Sequence, residues 1–142
     1  MLGFCEGHTD TSFNQLCEGD TSGNDLIMQT DSEELLHAGI SVAQKAWEKF
    51  SNTSGWQPAD PDLLITHQVG KAHTHAVFEA LCLDSSKNFS SYEHLGNCGA
   101  SSLPITYTLA CESNAVNRNK KTVLMGIGSG LSSIMLSLNS SL

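Results

Sequence analysis

Apolar and polar positions follow two different periods along this chain, and the switch between them sketches its elements. From Leu36 to Phe50, apolar residues recur at spacings of four and three (Leu36, Ile40, Ala43, Trp47, Phe50), which makes one stripe of an amphipathic helix. Thr30-Asp31-Ser32-Glu33 ahead of it fits a capping box, with a hydroxyl at the N-cap and a carboxylate three residues on. Ser51 to Pro61 supplies a glycine, two prolines and polar residues, which end the helix and form a connection. Leu63-Leu64-Ile65-Thr66 reads as a short buried strand running straight into His67-Gln68-Val69-Gly70. A second helix is predicted over about 71–83, with Ala72, Ala76, Ala80 and Leu83 on one side. Past a polar stretch at 84–100, Ser101 or Ser102 caps a third helix that runs to about Glu112. Pro104 sits in its first turn, where a missing N–H costs nothing. Lys121–Ile127 and Leu131–Leu138 read as paired strands about the turn Gly128-Ser129-Gly130. Residues 1–29 carry four glycines among polar residues and are predicted to be loop-rich, with one strand around 11–17. Strand and helix alternating before a closing β-hairpin predict an α/β fold.

Composition adds two constraints. The 142 residues suit one domain, yet charged residues make up only 15% of them, against about 25% in an ordinary soluble domain. Surfaces buried against another body are depleted in charge, so this balance suits a chain that is partly covered. The net charge of -8 comes from 15 acidic and 7 basic residues, and eight carboxylates precede the first cation, Lys45. A nucleic-acid backbone or an anionic membrane surface is repelled by such a chain, which has no basic stripe. No apolar run approaches the roughly 18 residues of a membrane-spanning helix. The five cysteines (Cys5, Cys17, Cys82, Cys98 and Cys111) are widely spaced, with no C-x-x-C pair. With no basic, apolar leader at Met1–Gly7, reduced thiols in a cytoplasmic protein are expected, and the N-x-[ST] triplets are chance matches.

Three segments could carry chemistry. His67 stands at the carboxyl end of a predicted strand, where ligands of open α/β sheets gather, and an imidazole there can serve as base, acid or hydrogen-bond donor. Gly96-Asn97-Cys98-Gly99 sets an asparagine between glycines ahead of a helix, and its amide can donate to a developing oxyanion. Gly126-Ile127-Gly128-Ser129-Gly130 exposes backbone N–H groups, although it is neither a phosphate-binding loop nor a dinucleotide fingerprint. Taken singly, each has a plain structural explanation: a histidine bonded to backbone, an ordinary loop, a hairpin turn.

Together they resemble, in order and approximate spacing, ketoacyl-ACP synthase III and its relatives in the thiolase superfamily. His67-Gln68-Val69-Gly70 is similar to that family's His-Gln strand end. The run from Leu95 to Pro104 resembles its Gly-Asn segment, and that from Leu124 to Leu131 its closing hairpin. In detail these segments are most similar to OleA-type enzymes, which join two acyl-CoA chains head to head. The resemblance covers most of the chain from about Thr30 onward. It implies a thiolase-like C-terminal half over 30–142, a mixed sheet flanked by helices with a closing hairpin. It also implies a Cys-His-Asn site acting on acyl-CoA or acyl-ACP thioesters without cofactor or metal. Carried over, His67 and Asn97 would hold the second thioester's carbonyl, and the Ser129 backbone N–H would help form an oxyanion hole. The family's nucleophilic cysteine lies well before the His. Here only Cys5 and Cys17 precede it, and neither sits at a strand-to-helix junction of the kind a nucleophile needs. The expectation is therefore a chain without its nucleophile half, inactive alone, with that half or a homodimer mate as partner. The rival is a non-catalytic partner half. Two further readings start from Cys98, as a papain-like nucleophile or, preferably, a small buried residue, and from His67, His73 and His75 as metal ligands. On a helix His73 and His75 fall roughly 200° apart, which works against a shared metal.

Overall fold

The computed structural model describes residues 2–22, 25–30, 32–117 and 119–138. In chain order these form β1 (Leu2–Thr9), β2 (Cys17–Ser22), β3 (Asp25–Thr30), α1 (Ser32–Ser54), β4 (Leu63–Thr66) and α2 (Lys71–Ala80). There follow a single-turn α3 (Tyr92–Leu95), α4 (Ser102–Glu112), β5 (Thr122–Gly128) and β6 (Ser132–Leu138), with short 3₁₀ turns at Thr11–Leu16, Ser85–Lys87 and Gly99–Ser101. Four strands make one mixed sheet in the order β1-β6-β5-β4. β4 and β5 run parallel, with Leu63 opposite Thr122, while β6 is antiparallel to both its neighbours. β2 and β3 pair as a separate hairpin.

The sequence of β4 explains its place. All four of its residues are buried, as expected of a strand covered on both faces rather than one. Leu64, Val123, Met125 and Met135 meet α1 and α2 on one side of the sheet; Leu63, Ile65 and Leu124 meet α4 on the other. The α1 stripe packs as its periodicity predicts, with Ala43, Trp47 and Phe50 buried, joined by Val42 and Ala46. Phe50 anchors this side, its ring 5.4 Å from Trp47 and 5.9 Å edge-on from Trp56. Among the described residues, no helix is long and apolar enough to cross a membrane.

Two local expectations need correction, and a third falls partly outside the described residues. Residues 1–29, predicted as loop-rich, contribute β1 to the main sheet and the β2–β3 hairpin, and the strand expected around 11–17 is a 3₁₀ turn up to Leu16. The buried face of α2 is Val77 and Phe78, continued by Leu81; Ala72 is exposed, because the larger side chains and not the alanines fill the space under α1. The capping box includes Asp31, which lies outside the described residues; Ser32 is the first residue of α1. The third helix starts at Ser102 with Pro104 in its first turn, as expected.

Candidate functional site

Parallel pairing fixes where the first side chain emerges. The β4–β5 ladder continues one step beyond β4, as the His67 N–H donates to Met125 O at 2.8 Å. His67 is thereby delivered, half-buried, at the carboxyl end of β4. Burial holds its imidazole below the ordinary value of 6.5, which favours the neutral ring. His73, three residues into α2, is also half-buried, and burial followed by the nearby charge of His67 lowers it too. Two imidazoles that each disfavour charge therefore stand close together.

Asn97 is placed by the loop before α4. Gly96 and Gly99 take φ of 65° and 58°, a region that side chains disfavour, so the glycines are needed for the turn itself. Asn97 Oδ1 accepts from the Gly99 N–H at 2.9 Å and from Ser102 Oγ at 3.3 Å. Both of these bonds use the oxygen; the amide nitrogen can only donate. Ser129 lies exposed between β5 and β6, followed by Gly130 and Leu131, both with positive φ.

His67, His73, Asn97 and Ser129 line one cleft of about 700 Å³, together with Leu35 and Leu36 of α1. The three residues singled out in the sequence thus converge, and no cysteine is among the residues lining the cleft. Cys98, expected to be buried, is exposed, because its side chain turns outward and bonds Leu95 O at 3.4 Å. Among the described residues, no three His, Cys, Asp or Glu side chains gather as a metal site. From the sequence, His73 stands out only as a candidate metal ligand, Gln68 only as part of the His-Gln strand end, Ser102 only as a helix cap, and Ser91 and Thr106 not at all; in the fold these four polar residues, Gln68, Ser91, Thr106 and Ser102, tie the two donor loops together. Their spacing carries no signal, since the partners meet only in the fold.

A mixed sheet that brings a strand-end histidine, an asparagine amide and a glycine-flanked turn to one cleft defines the C-terminal half of a thiolase-like fold. A family model described as 3-oxoacyl-[acyl-carrier-protein (ACP)] synthase III C terminal matches residues 52–139. The chain belongs to this family. It is 36% identical over 112 residues to an acyl-CoA:acyl-CoA alkyltransferase of Shewanella oneidensis, covering 79% of this chain and 32% of that protein. It is 33% identical over 125 residues to the protein of the same name from Xanthomonas campestris, covering 88% of this chain and 36% of that one. A crystal structure of Xanthomonas campestris OleA superposes with a TM-score of 0.83 at 31% identity, covering 93% of this chain and 37% of the other. FabH from Xanthomonas oryzae, a 3-oxoacyl-(acyl carrier protein) synthase III, gives 0.82 at 31% identity, covering 92% of this chain and 38% of that one. The chain thus spans about a third of the length of these curated relatives.

Proposed function

We propose that this chain supplies the histidine–asparagine portion of an acyltransferase that condenses two acyl thioesters, with the nucleophilic cysteine carried on polypeptide outside these 142 residues. The observation that carries the reading is the convergence of His67, Asn97 and Ser129 on a single cleft, with no cysteine among the described residues that line it. An acyl group rides on that cysteine as a thioester. The second thioester enters with its carbonyl oxygen facing the His67 ring and the Asn97 amide nitrogen. Negative charge builds on this oxygen as the α-carbon loses its proton to a base carried, like the cysteine, outside these 142 residues, and donors already fixed in place stabilise it without reorganising. Neutral imidazole suits the task, because a ring held below the usual range can donate one N–H without carrying a charge of its own. The carbanion attacks the acyl-cysteine carbonyl, whose oxygen accepts from the Ser129 backbone N–H; the new carbon–carbon bond forms as the carbon–sulfur bond breaks, and the cysteine leaves as a thiolate.

The surface supports a covering partner. Leu95, Ile105, Leu109 and Ile134 are exposed large apolar side chains, and with the low charge content they suit burial against the nucleophile-bearing part. These side chains equally favour the second reading, a structural half without chemistry of its own. Co-expression with a segment carrying the family's cysteine half separates the two. The catalytic reading expects condensation to appear, to be lost in His67→Ala, and acylation of the cysteine to persist in that variant. Unimpaired condensation by His67→Ala rejects the role of His67, and rapid turnover of acyl-CoA by the purified chain alone rejects the division of labour.

A further inference from the structure

The residue after the cleft histidine is among the most buried polar groups in the molecule, and its bonds lead to the other cleft donor. Gln68 is 2% exposed. Its Nε2 donates back to Thr66 O at 2.6 Å, closing on the strand that delivers His67. Its Oε1 accepts from Ser90 Oγ at 2.7 Å, from the Tyr92 N–H at 3.0 Å and from the Ser91 N–H at 3.2 Å. The path continues through hydroxyls. Thr106 Oγ1 donates to Ser102 O at 2.7 Å, so its one hydrogen is spent and the 2.6 Å bond from Ser91 Oγ must be donated by Ser91. Ser102 Oγ accepts from the Cys98 N–H at 2.8 Å and donates to Asn97 Oδ1 at 3.3 Å. Ser91, Ser102 and Thr106 are each at most 4% exposed. The middle of the path, from Gln68 through Ser91 and Thr106 to the Ser102 carbonyl, is shielded from water, where bonds in series reinforce one another and a broken one is costly; its end at Asn97 is only partly so.

We propose that Gln68 is a positioning residue, acting through Ser91, Thr106 and Ser102 to set where Asn97 presents its amide relative to His67. Packing of α4 on β4 and β5 sets that helix against the sheet, but Asn97 itself lies on an exposed glycine-flanked loop ahead of it. The polar path is what reaches from the sheet to its side chain. A displacement of about 1 Å at such a donor costs on the order of a hundredfold in rate.

The test uses the whole 142-residue chain, labelled with nitrogen-15. Gln68→Leu removes the acceptor at the head of the path; Thr106→Val cuts it in the middle with little change of volume, and decides the matter if Gln68→Leu does not fold. In either folded variant the Asn97 side-chain amide resonance shifts and hydrogen exchange at the Cys98 N–H accelerates about fivefold or more. Thr106→Ser, which keeps the hydroxyl, restores both. A folded Thr106→Val with both signals unchanged overturns the proposal, as does a Thr106→Ser as perturbed as Thr106→Val. A second arm rests on the function proposed above: paired with the cysteine half, Thr106→Val lowers condensation about 10- to 100-fold while cysteine acylation is unaffected. Absence of condensation in the unaltered pair tells against that function, and the magnetic resonance arm still decides the role of Gln68.

Discussion

Acidification through the imidazole range should loosen this fold, and the effect should trace to two side chains. Burial lowers His67 from 6.5, and burial with the neighbouring His67 charge lowers His73 from the same value. In the unfolded chain both rings titrate near about 6.5. As the pH drops through that value, the unfolded state binds protons that the folded state still refuses. Stability is therefore complete above about pH 6.5, declines below it, and levels off once the pH is under the lowered folded-state values. One proton taken up only by the unfolded state changes stability by at most about 1.4 kcal/mol per pH unit, so two set a ceiling of roughly 2.7 kcal/mol per unit. Against a typical total of about 5–15 kcal/mol that is a large slope. The carboxylates of Asp10, Asp60, Asp84 and Glu93 act in the same direction but at lower pH. Hydrogen bonds led by those from Ser12, Gln57, Ser86 and Lys71, respectively, hold them below their usual range, so what they contribute persists until the pH is well under the histidine window. The assay is urea unfolding followed by tryptophan fluorescence between about pH 7.5 and 5, on the native chain and on the double variant His67→Gln, His73→Gln. The native chain should lose stability across this window and the double variant should lose markedly less. Equal slopes would refute the assignment to these rings.

Two further outcomes follow from packing. Phe50 is fully buried between two tryptophans, so Phe50→Ala should cost about 3–5 kcal/mol in urea unfolding, and a loss under about 1 kcal/mol would contradict the packing described. Gly126 lies opposite Ile134, and a Cβ there would meet Ile134 Cγ2 at 2.8 Å. Gly126→Ala should therefore destabilise by about 1–3 kcal/mol, with Ile134→Ala in the same chain restoring most of the loss; no recovery would place the strain elsewhere.

The parts legible in the sequence are those where local pattern and tertiary demand agree. α1 shows its stripe, β4 its unbroken apolar run, and α4 its early proline, and each is found where expected. β1 was missed because the side turned toward α1 is largely polar: Glu6 Oε1 accepts from Thr53 Oγ1 at 2.9 Å, and His8 Nδ1 lies 3.3 Å from Lys49 Nζ. A strand whose inward positions are Phe4, Glu6 and His8, with only the first apolar, has no apolar alternation to read. On α2, alanines at spacings of four suggested the wrong face, since volume rather than apolar character decides which side fills a core. His67, Asn97 and Ser129 were found by family resemblance. The path between the two donor loops was not, as Gln68 and Ser91 are far apart in sequence and meet only after folding.

The place of β1 beside β6 also bears on how the molecule is made. Phe4 N–H donates to Ser137 Oγ, a bond that spans 133 residues. Such a pairing closes nearly the whole chain into one loop, and folding slows as contacts become this distant in sequence. During synthesis at about 5–20 residues per second, β1 waits on the order of ten seconds before β6 exists to receive it. Helix α1 and strand β4 are complete long before then. The outer edge of the sheet is the last seam to close, and until it does the new β6 presents an open row of backbone donors and acceptors to any strand that reaches it first.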